Sequence, residues 1–288
     1  MTVDFGPLVS AAWLAAHLDD DVLRIVDCRW YLGEPDRGPA AYRSSHIRGA
    51  VYMDLDHDLS SVHGDPEGPG RHPLPGPAVF MESLGRNGID PGTRVVAYDD
   101  RGGAIAARLW WMLRDLGHEE VAVLDGGLSH WEPDLMDSTP VEPIATTYRA
   151  APGRMPVIDR DQLTTALGSV KLLDARAGER YRGEIEPIDP IAGHIPTALS
   201  HPLADNLQDD ERFKAPDLLA ARFADLGADG REIVVSYCGS GVTACHSVLA
   251  MEIAGMATPA LYPGSWSDWS TAGGPVAVGP DPGGWPVW

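Results

Sequence analysis

The stretch Ser-Tyr-Cys-Gly-Ser-Gly-Val-Thr-Ala-Cys, residues 236–245, sets a thiol directly after an apolar run and directly before a helical pattern. Cys238 therefore falls at the carboxyl end of a predicted strand and the amino end of a predicted helix, where open α/β sheets place their ligands. Gly239 and Gly241 let the backbone curl so that several N–H groups converge on one point, an arrangement suited to an anion. The same donors and the helix dipole stabilise a thiolate, the nucleophilic form of cysteine. Cys245 belongs to the apolar stripe Val242, Cys245, Leu249, Ile253 and Met256 and is expected in the core, with His246 on the helix surface.

Neighbouring chemistries fit less well. A phosphatase loop of the form Cys-x5-Arg needs an arginine at position 244, which is Ala244, so the bidentate clamp for a phosphoryl group is missing. No second cysteine or histidine stands at zinc-site spacing from Cys238, and no metal or cofactor is expected. The acidic run 54–65 has Leu59 where a calcium loop turns on glycine and Asp65 where it closes on glutamate, which argues against calcium.

The elements that must position Cys238 occur twice. "IVDCRW" (25–30) answers "LLDARA" (172–177), "SHIRGA" (45–50) answers "GHIPTA" (193–198), and "RVVAYD" (94–99) answers "IVVSYC" (233–238). "VLDGGLSHW" (123–131) then answers "ALYPGSWSDW" (260–269), so four matches keep their order and imply duplication of one domain. Each half alternates β-branched runs, such as "VLRIVD" and "EIVVSY", with helical patterns, such as "GAIAARLWWMLRDLG" and "APDLLAARFADLG". The fold class is α/β, two tandem domains that are each a mostly parallel sheet flanked by helices. Residues 1–135 are expected to form the first domain, the Pro-rich stretch 136–156 a linker, and 157–288 the second domain with a Gly/Pro-rich tail whose Trp285 and Trp288 are expected to pack back onto a domain.

A net charge of −20 without a compensating basic stripe excludes nucleic acids and anionic membrane surfaces as partners. The N-terminus lacks the basic start of a signal peptide, and no stretch approaches the roughly 18 apolar residues of a membrane-spanning helix. Three cysteines at irregular spacing make no disulfide framework, and a reducing cytoplasm is the expected setting.

The duplication also sorts the polar residues. Asp174 and Arg176 are matched by Asp27 and Arg29, and His194 by His46, so all three are assigned to the fold. Arg180 faces Ala41 in the comparison and is a candidate for function.

Together "CGSGVTAC", the twofold repeat, "GERYRGEIEP" and "YPGSWSDW" resemble the tandem-domain rhodanese family, in its 3-mercaptopyruvate sulfurtransferase branch. The resemblance implies an active second domain and a degenerate first one, in agreement with Asp99 at the position matching Cys238. It implies that Arg180 holds the donor's anionic group. A second family arginine is replaced by Ile188 in "EPIDP", with Arg182 as a possible substitute. Ser240 marks the mercaptopyruvate branch, and by the same resemblance His72 in "RHPLP" and Asp56 in "MDLDHD" reach the loop serine. The implied reaction moves a sulfane sulfur from a small anionic donor, 3-mercaptopyruvate or thiosulfate, through a Cys238 persulfide to a thiol, cyanide or thioredoxin-like acceptor. The N–H groups of Gly239, Ser240, Gly241, Val242 and Thr243 cradle the charge. A thiosulfate-preferring rhodanese, a non-enzymatic persulfide carrier and, more remotely, a phosphatase relative are the alternatives.

Overall fold

The computed structural model describes residues 5–61 and 69–284; Trp285 and Trp288 lie outside them. The chain divides into two compact units. Unit 1 comprises Met1–His63, Leu74–Arg154 and Asp209–Phe213, and unit 2 comprises Gly64–Pro73, Met155–Gln208 and Lys214–Trp288.

In unit 1 the strands are β1 (Leu8–Val9), β2 (Leu23–Asp27), β3 (His46–Ile47), β4 (Val51–Tyr52), β5 (Arg94–Tyr98), β6 (Val121–Leu124) and β7 (Met136–Asp137). Five of them form a parallel sheet in the order β1-β6-β5-β2-β4, and β3 pairs antiparallel with β7. The helices are α1 (Ala11–Ala16), α2 (Arg37–Ser44), α3 (Pro77–Arg86) and α4 (Ala106–Asp115). β5 and β6 are buried almost throughout, because helices cover both faces of a parallel sheet. The stretch expected to be a linker instead stays with unit 1: Met136 and Asp137 pair with β3, and the buried Tyr148 hydroxyl lies 2.9 Å from His118 Nδ1.

Unit 2 repeats the plan with β8 (Lys171–Asp174), β9 (Leu199–Ser200), β10 (Val234–Tyr237) and β11 (Ala260–Leu261), in the parallel order β11-β10-β8-β9. A bridge from Val157 to Leu261 takes the place of β1, and an antiparallel bridge from His194 to Ala277 takes that of the β3–β7 pair. Its helices are α5 (Arg160–Ala166), α6 (Gly178–Tyr181), α7 (Pro216–Asp225), α8 (Ala244–Ile253) and α9 (Ser265–Thr271). A capping box starts α5, with Asp159 accepting from the Gln162 N–H at 2.8 Å and the Gln162 side chain accepting from the Asp159 N–H at 2.9 Å.

The repeat extends to hydrogen bonds. Tyr98 pairs in register with Asp27, and Tyr237 with Asp174. Arg29 and Arg176 each clasp their aspartate, at 2.5 and 2.6 Å, and each donates to a backbone carbonyl, Ser45 at 2.7 Å and Gly193 at 2.6 Å. His46 Nδ1 lies 2.7 Å from the Tyr42 carbonyl oxygen and His194 Nδ1 2.7 Å from that of Tyr181, with each histidine stacked on its tyrosine. Buried ion pairs held this way orient the chain at the sheet edge in both units, whatever chemistry follows.

Candidate active site

Because Tyr237 ends β10 opposite Asp174, Cys238 is the first residue beyond the carboxyl edge of the sheet. Its N–H donates to Ser265 Oγ at 3.0 Å, and Ser265 Oγ–H donates to the Tyr262 carbonyl at 2.9 Å. The carbonyls of Cys238 and Gly239 accept from the N–H groups of Trp266 and Ser267, at 3.0 and 2.9 Å. The loop is therefore hung on the start of α9, a role for "GSWSDW" that the sequence pattern did not disclose. Gly241 has φ +79°, and a Cβ there would collide with the Pro263 carbonyl, so only glycine fits the turn.

Cys238 is 1% exposed, and its Sγ accepts the Gly241 N–H at 3.1 Å. Cys245 is fully buried, its thiol pointing to the Gly241 carbonyl at 3.4 Å. Cys28 lies in the core of unit 1, where burial and the charges of Asp27 and Asp99 push its thiol well above the ordinary range. Two of the three thiols are thus core residues, and one faces a backbone donor at a strand-to-helix turn.

Ser240 Oγ lies 2.7 Å from His72 Nδ1, both nearly buried. His72 belongs to unit 2 through the segment Gly64–Pro73. Asp56 lies in unit 1, where it accepts from Trp30 Nε1 at 2.8 Å and its own N–H donates to Asp54 Oδ1 at 2.8 Å.

Arg180, on α6, turns its guanidinium toward the loop: Nη1 and Nη2 lie 3.6 and 3.8 Å from where a Cβ on Gly239 would stand. Glu186 grips the other edge through Arg180 Nε at 3.1 Å and Nη2 at 2.7 Å, and Asp189 adds a contact at 3.2 Å. Burial raises the Glu186 carboxyl, but Arg180 and the N–H groups of Asp189 and Ile188 outweigh it and hold the carboxyl below its ordinary value. Burial leads for Asp189 too, and its carboxyl is raised despite Arg71.

Two expectations need correction. Arg182 does not join the site: its guanidinium is engaged by Glu184 at 2.7 and 2.8 Å in a half-exposed pair. His246 is not on a helix surface, because α8 is apolar nearly all round and buried from Ala244 to Met251. Its Nδ1 lies 3.2 Å from Asn206 Nδ2, and Asn206 Oδ1 lies 2.8 Å from His201 Nε2. Val242 is buried in the loop, and Thr243 stands at the N-cap of α8 without a side-chain capping bond. Arg71, Glu186 and Asp189 are the neighbours of the loop that sequence reasoning missed.

Unit 1 displays the same loop with a different side chain. Asp99 Oδ1 accepts from the N–H groups of Arg101 and Gly103 at 2.8 and 2.9 Å, and Oδ2 from those of Ile105 and Ala106 at 2.7 and 2.9 Å. One buried carboxylate fills the cradle with four backbone donors. Burial raises its pKa, against the pull of those four bonds.

Both units match the Rhodanese-like domain, over residues 10–134 and 159–272. The chain is 44% identical over 280 residues to a probable 3-mercaptopyruvate sulfurtransferase of Pseudomonas aeruginosa, covering 94% of this chain and 98% of the relative. It is 36% identical over 278 residues to human 3-mercaptopyruvate sulfurtransferase, covering 91% of each, and 34% identical to rat thiosulfate sulfurtransferase, covering 92% of each. The crystal structure of a 3-mercaptopyruvate sulfotransferase from Escherichia coli superposes with a TM-score of 0.79 at 33% identity, covering 91% of this chain and 99% of that one. The chain belongs to the tandem-domain rhodanese family, within its 3-mercaptopyruvate and thiosulfate sulfurtransferase group. It is an enzyme, a sulfurtransferase.

Proposed function

We propose that the chain transfers a sulfane sulfur from 3-mercaptopyruvate to a thiol or cyanide through a persulfide on Cys238, and that unit 1 is a catalytically inactive copy. The observation that carries this is the loop itself, with Cys238 Sγ on the Gly241 N–H and Ser240 on His72. The Cys238 thiolate attacks the donor sulfur, an S–S bond forms, and the C–S bond breaks with its electron pair passing to carbon. The proton of the donor thiol passes to that carbon, giving pyruvate and a Cys238–S–S⁻ anion. Ser240 and His72, paired at 2.7 Å, are suited to carry that proton. The acceptor then takes the terminal sulfur, forming a persulfide from a thiol or thiocyanate from cyanide, and the thiolate returns.

Asp99 supports the second half of this reading. From Cβ, the terminal sulfur of a persulfide and an aspartyl oxygen both stand two bonds away, and both carry negative charge. Aligning 97–106 with 236–245 matches Ser240, Val242, Ala244 and Cys245 to the four donors of unit 1, the Cys245 N–H being engaged by the Val242 carbonyl at 3.1 Å. A terminal sulfur on Cys238 takes the place of the Asp99 oxygens, stabilised by the N–H groups of Ser240, Val242 and Ala244. Arg180 anchors the donor. The three free cysteines suit a reducing, cytoplasmic setting.

The test is thiocyanate formation from each donor, with mass spectrometry of Cys238 after donor alone. We expect one added sulfur on Cys238, turnover with cyanide, and loss of both in Cys238→Ser; turnover retained by that variant would sink the proposal. One added sulfur without repeated turnover would mark a persulfide carrier.

A further inference from the structure

We propose that Asp268 is a positioning residue for the sulfur transfer, one that aims Cys238 by holding the first turn of α9 against Tyr262; this rests on the sulfurtransferase reading. Three bonds tie the cysteine loop to that turn. The Cys238 N–H donates to Ser265 Oγ, and the Trp266 and Ser267 N–H groups donate to the carbonyls of Cys238 and Gly239. The orientation of the nucleophile is therefore no better fixed than residues 265–267.

Those residues have little of their own to hold them. Gly264 stands at the N-cap of α9 and supplies no side-chain cap, and Ser265 sits at φ +54°, in the left-handed region where a residue with a side chain is strained. Such a conformation persists only when its surroundings over-determine it. Asp268 provides the constraint. Its N–H donates to the Gly264 carbonyl at 3.1 Å, and its side chain folds back so that a Cβ on Gly264 would stand 2.6 Å from Oδ2. Oδ2 accepts from the Tyr262 hydroxyl at 2.6 Å, and Oδ1 from Arg160 Nη1, on α5, at 2.7 Å. Tyr262 is itself fixed to the sheet, its N–H donating to the Ser236 carbonyl at 3.0 Å, while its own carbonyl accepts from Ser265 Oγ at 2.9 Å. Burial, and then the Asp268 carboxylate, push the Tyr262 hydroxyl far above its ordinary range, so it remains a donor. The carboxylate thus closes a ring that runs from β10 through Tyr262 to the start of α9, and Cys238 hangs on that ring.

The duplication supplies a control. Gly127 matches Ser265, with φ +52°, and the Leu128 N–H donates to the Asp99 carbonyl at 3.1 Å as the Trp266 N–H does to that of Cys238. The turn is the same in both units, but unit 1 builds it from a glycine, and Leu124 and His130 stand where unit 2 has Tyr262 and Asp268. Only the unit with the thiol uses a strained serine, whose hydroxyl takes the Cys238 N–H, and only that unit carries the tyrosine and aspartate that hold it.

The test measures kcat and KM with 3-mercaptopyruvate and thiosulfate in Asp268→Ala and Tyr262→Phe, alongside hydrogen exchange of each variant followed by mass spectrometry. Both variants should lower kcat by roughly tenfold or more, the scale of a misaligned reacting group, and leave KM near that of the wild type. The double variant should lose little more than Asp268→Ala alone, because both changes remove the same bond. Exchange should rise selectively in peptides covering 236–243 and 262–269, which a general loss of stability would not produce. Unchanged kcat in a folded variant, a rise in KM alone, additive losses, or exchange raised evenly across unit 2 would each overturn the assignment. Tyr262→Phe removes a single oxygen and serves if Asp268→Ala does not fold. If the wild-type protein turns over neither donor, the transfer reading fails, and the exchange pattern still decides whether Asp268 holds the loop.

Discussion

Asparagine at position 99 is the sharpest probe of the loop geometry, because it changes one atom of the group that fills the unit 1 cradle. The carboxylate serves four buried N–H groups, two on each oxygen. Asn keeps one oxygen and turns an NH2 toward the other two donors. With two stranded donors at about 1–3 kcal/mol each, and some relief from no longer burying a charge, the loss is about 2–5 kcal/mol. For a unit of this size that lowers Tm by roughly 5–15 °C. Asp99→Ala instead empties the cradle, leaving four donors around a space that a small oxyanion can enter. Calorimetry and urea titration should show both variants destabilised, with sulfate recovering the alanine variant by more than its general stabilising effect on the wild type. An asparagine variant within 1 kcal/mol of the wild type, together with no sulfate-specific recovery of the alanine variant, would refute the idea that the loop is an anion cradle.

Further outcomes follow from other contacts. Gly241→Ala should cost at least about 1–3 kcal/mol for the positive φ alone and distort the loop against Pro263; unchanged stability and activity would contradict the turn geometry. Ser240→Ala should lower kcat with 3-mercaptopyruvate by roughly 100-fold or more, the range of positioned proton transfer, and affect thiosulfate less, because sulfite leaves without protonation at carbon. Equal losses with both donors would remove the proton-transfer role. The depressed Glu186 pKa means that its pairing contributes fully above the unfolded value of about 4.3 and is lost as pH falls through the lower folded value. Glu186→Gln should therefore destabilise at pH 7 and converge with the wild type in acid, as read by urea denaturation; a pH-independent difference would contradict that pairing.

Much of this was legible in the residues, for reasons the structure makes physical. The Asp-x-Arg pairs recur because each unit needs the same clasp at the carboxyl edge of its sheet, and buried charges tolerate little substitution. Cys238 stood out because a thiol between a strand and a glycine turn has few purely structural uses. Arg71 did not, since it sits in an irregular segment with no periodicity and joins unit 2 only in the fold. Glu186 and Asp189 carry no pattern of their own in the sequence, and only their arginines reveal what they hold. His246 was misread because a helix covered on all sides has no polar face to reveal, so a stripe argument has nothing to orient it. The prolines of 136–156 suggest a linker, but they equally suit a chain lying along a domain and pairing through β7.

The division of the chain carries a consequence for how the duplication has lasted. Arg71 and His72 are encoded with the first copy yet belong to unit 2, and Asp209–Phe213 are encoded with the second yet belong to unit 1. A gene truncated to its second half would encode the nucleophile without the imidazole that meets Ser240. The half that holds the thiol thereby depends on residues carried by the half that has none at the matching position.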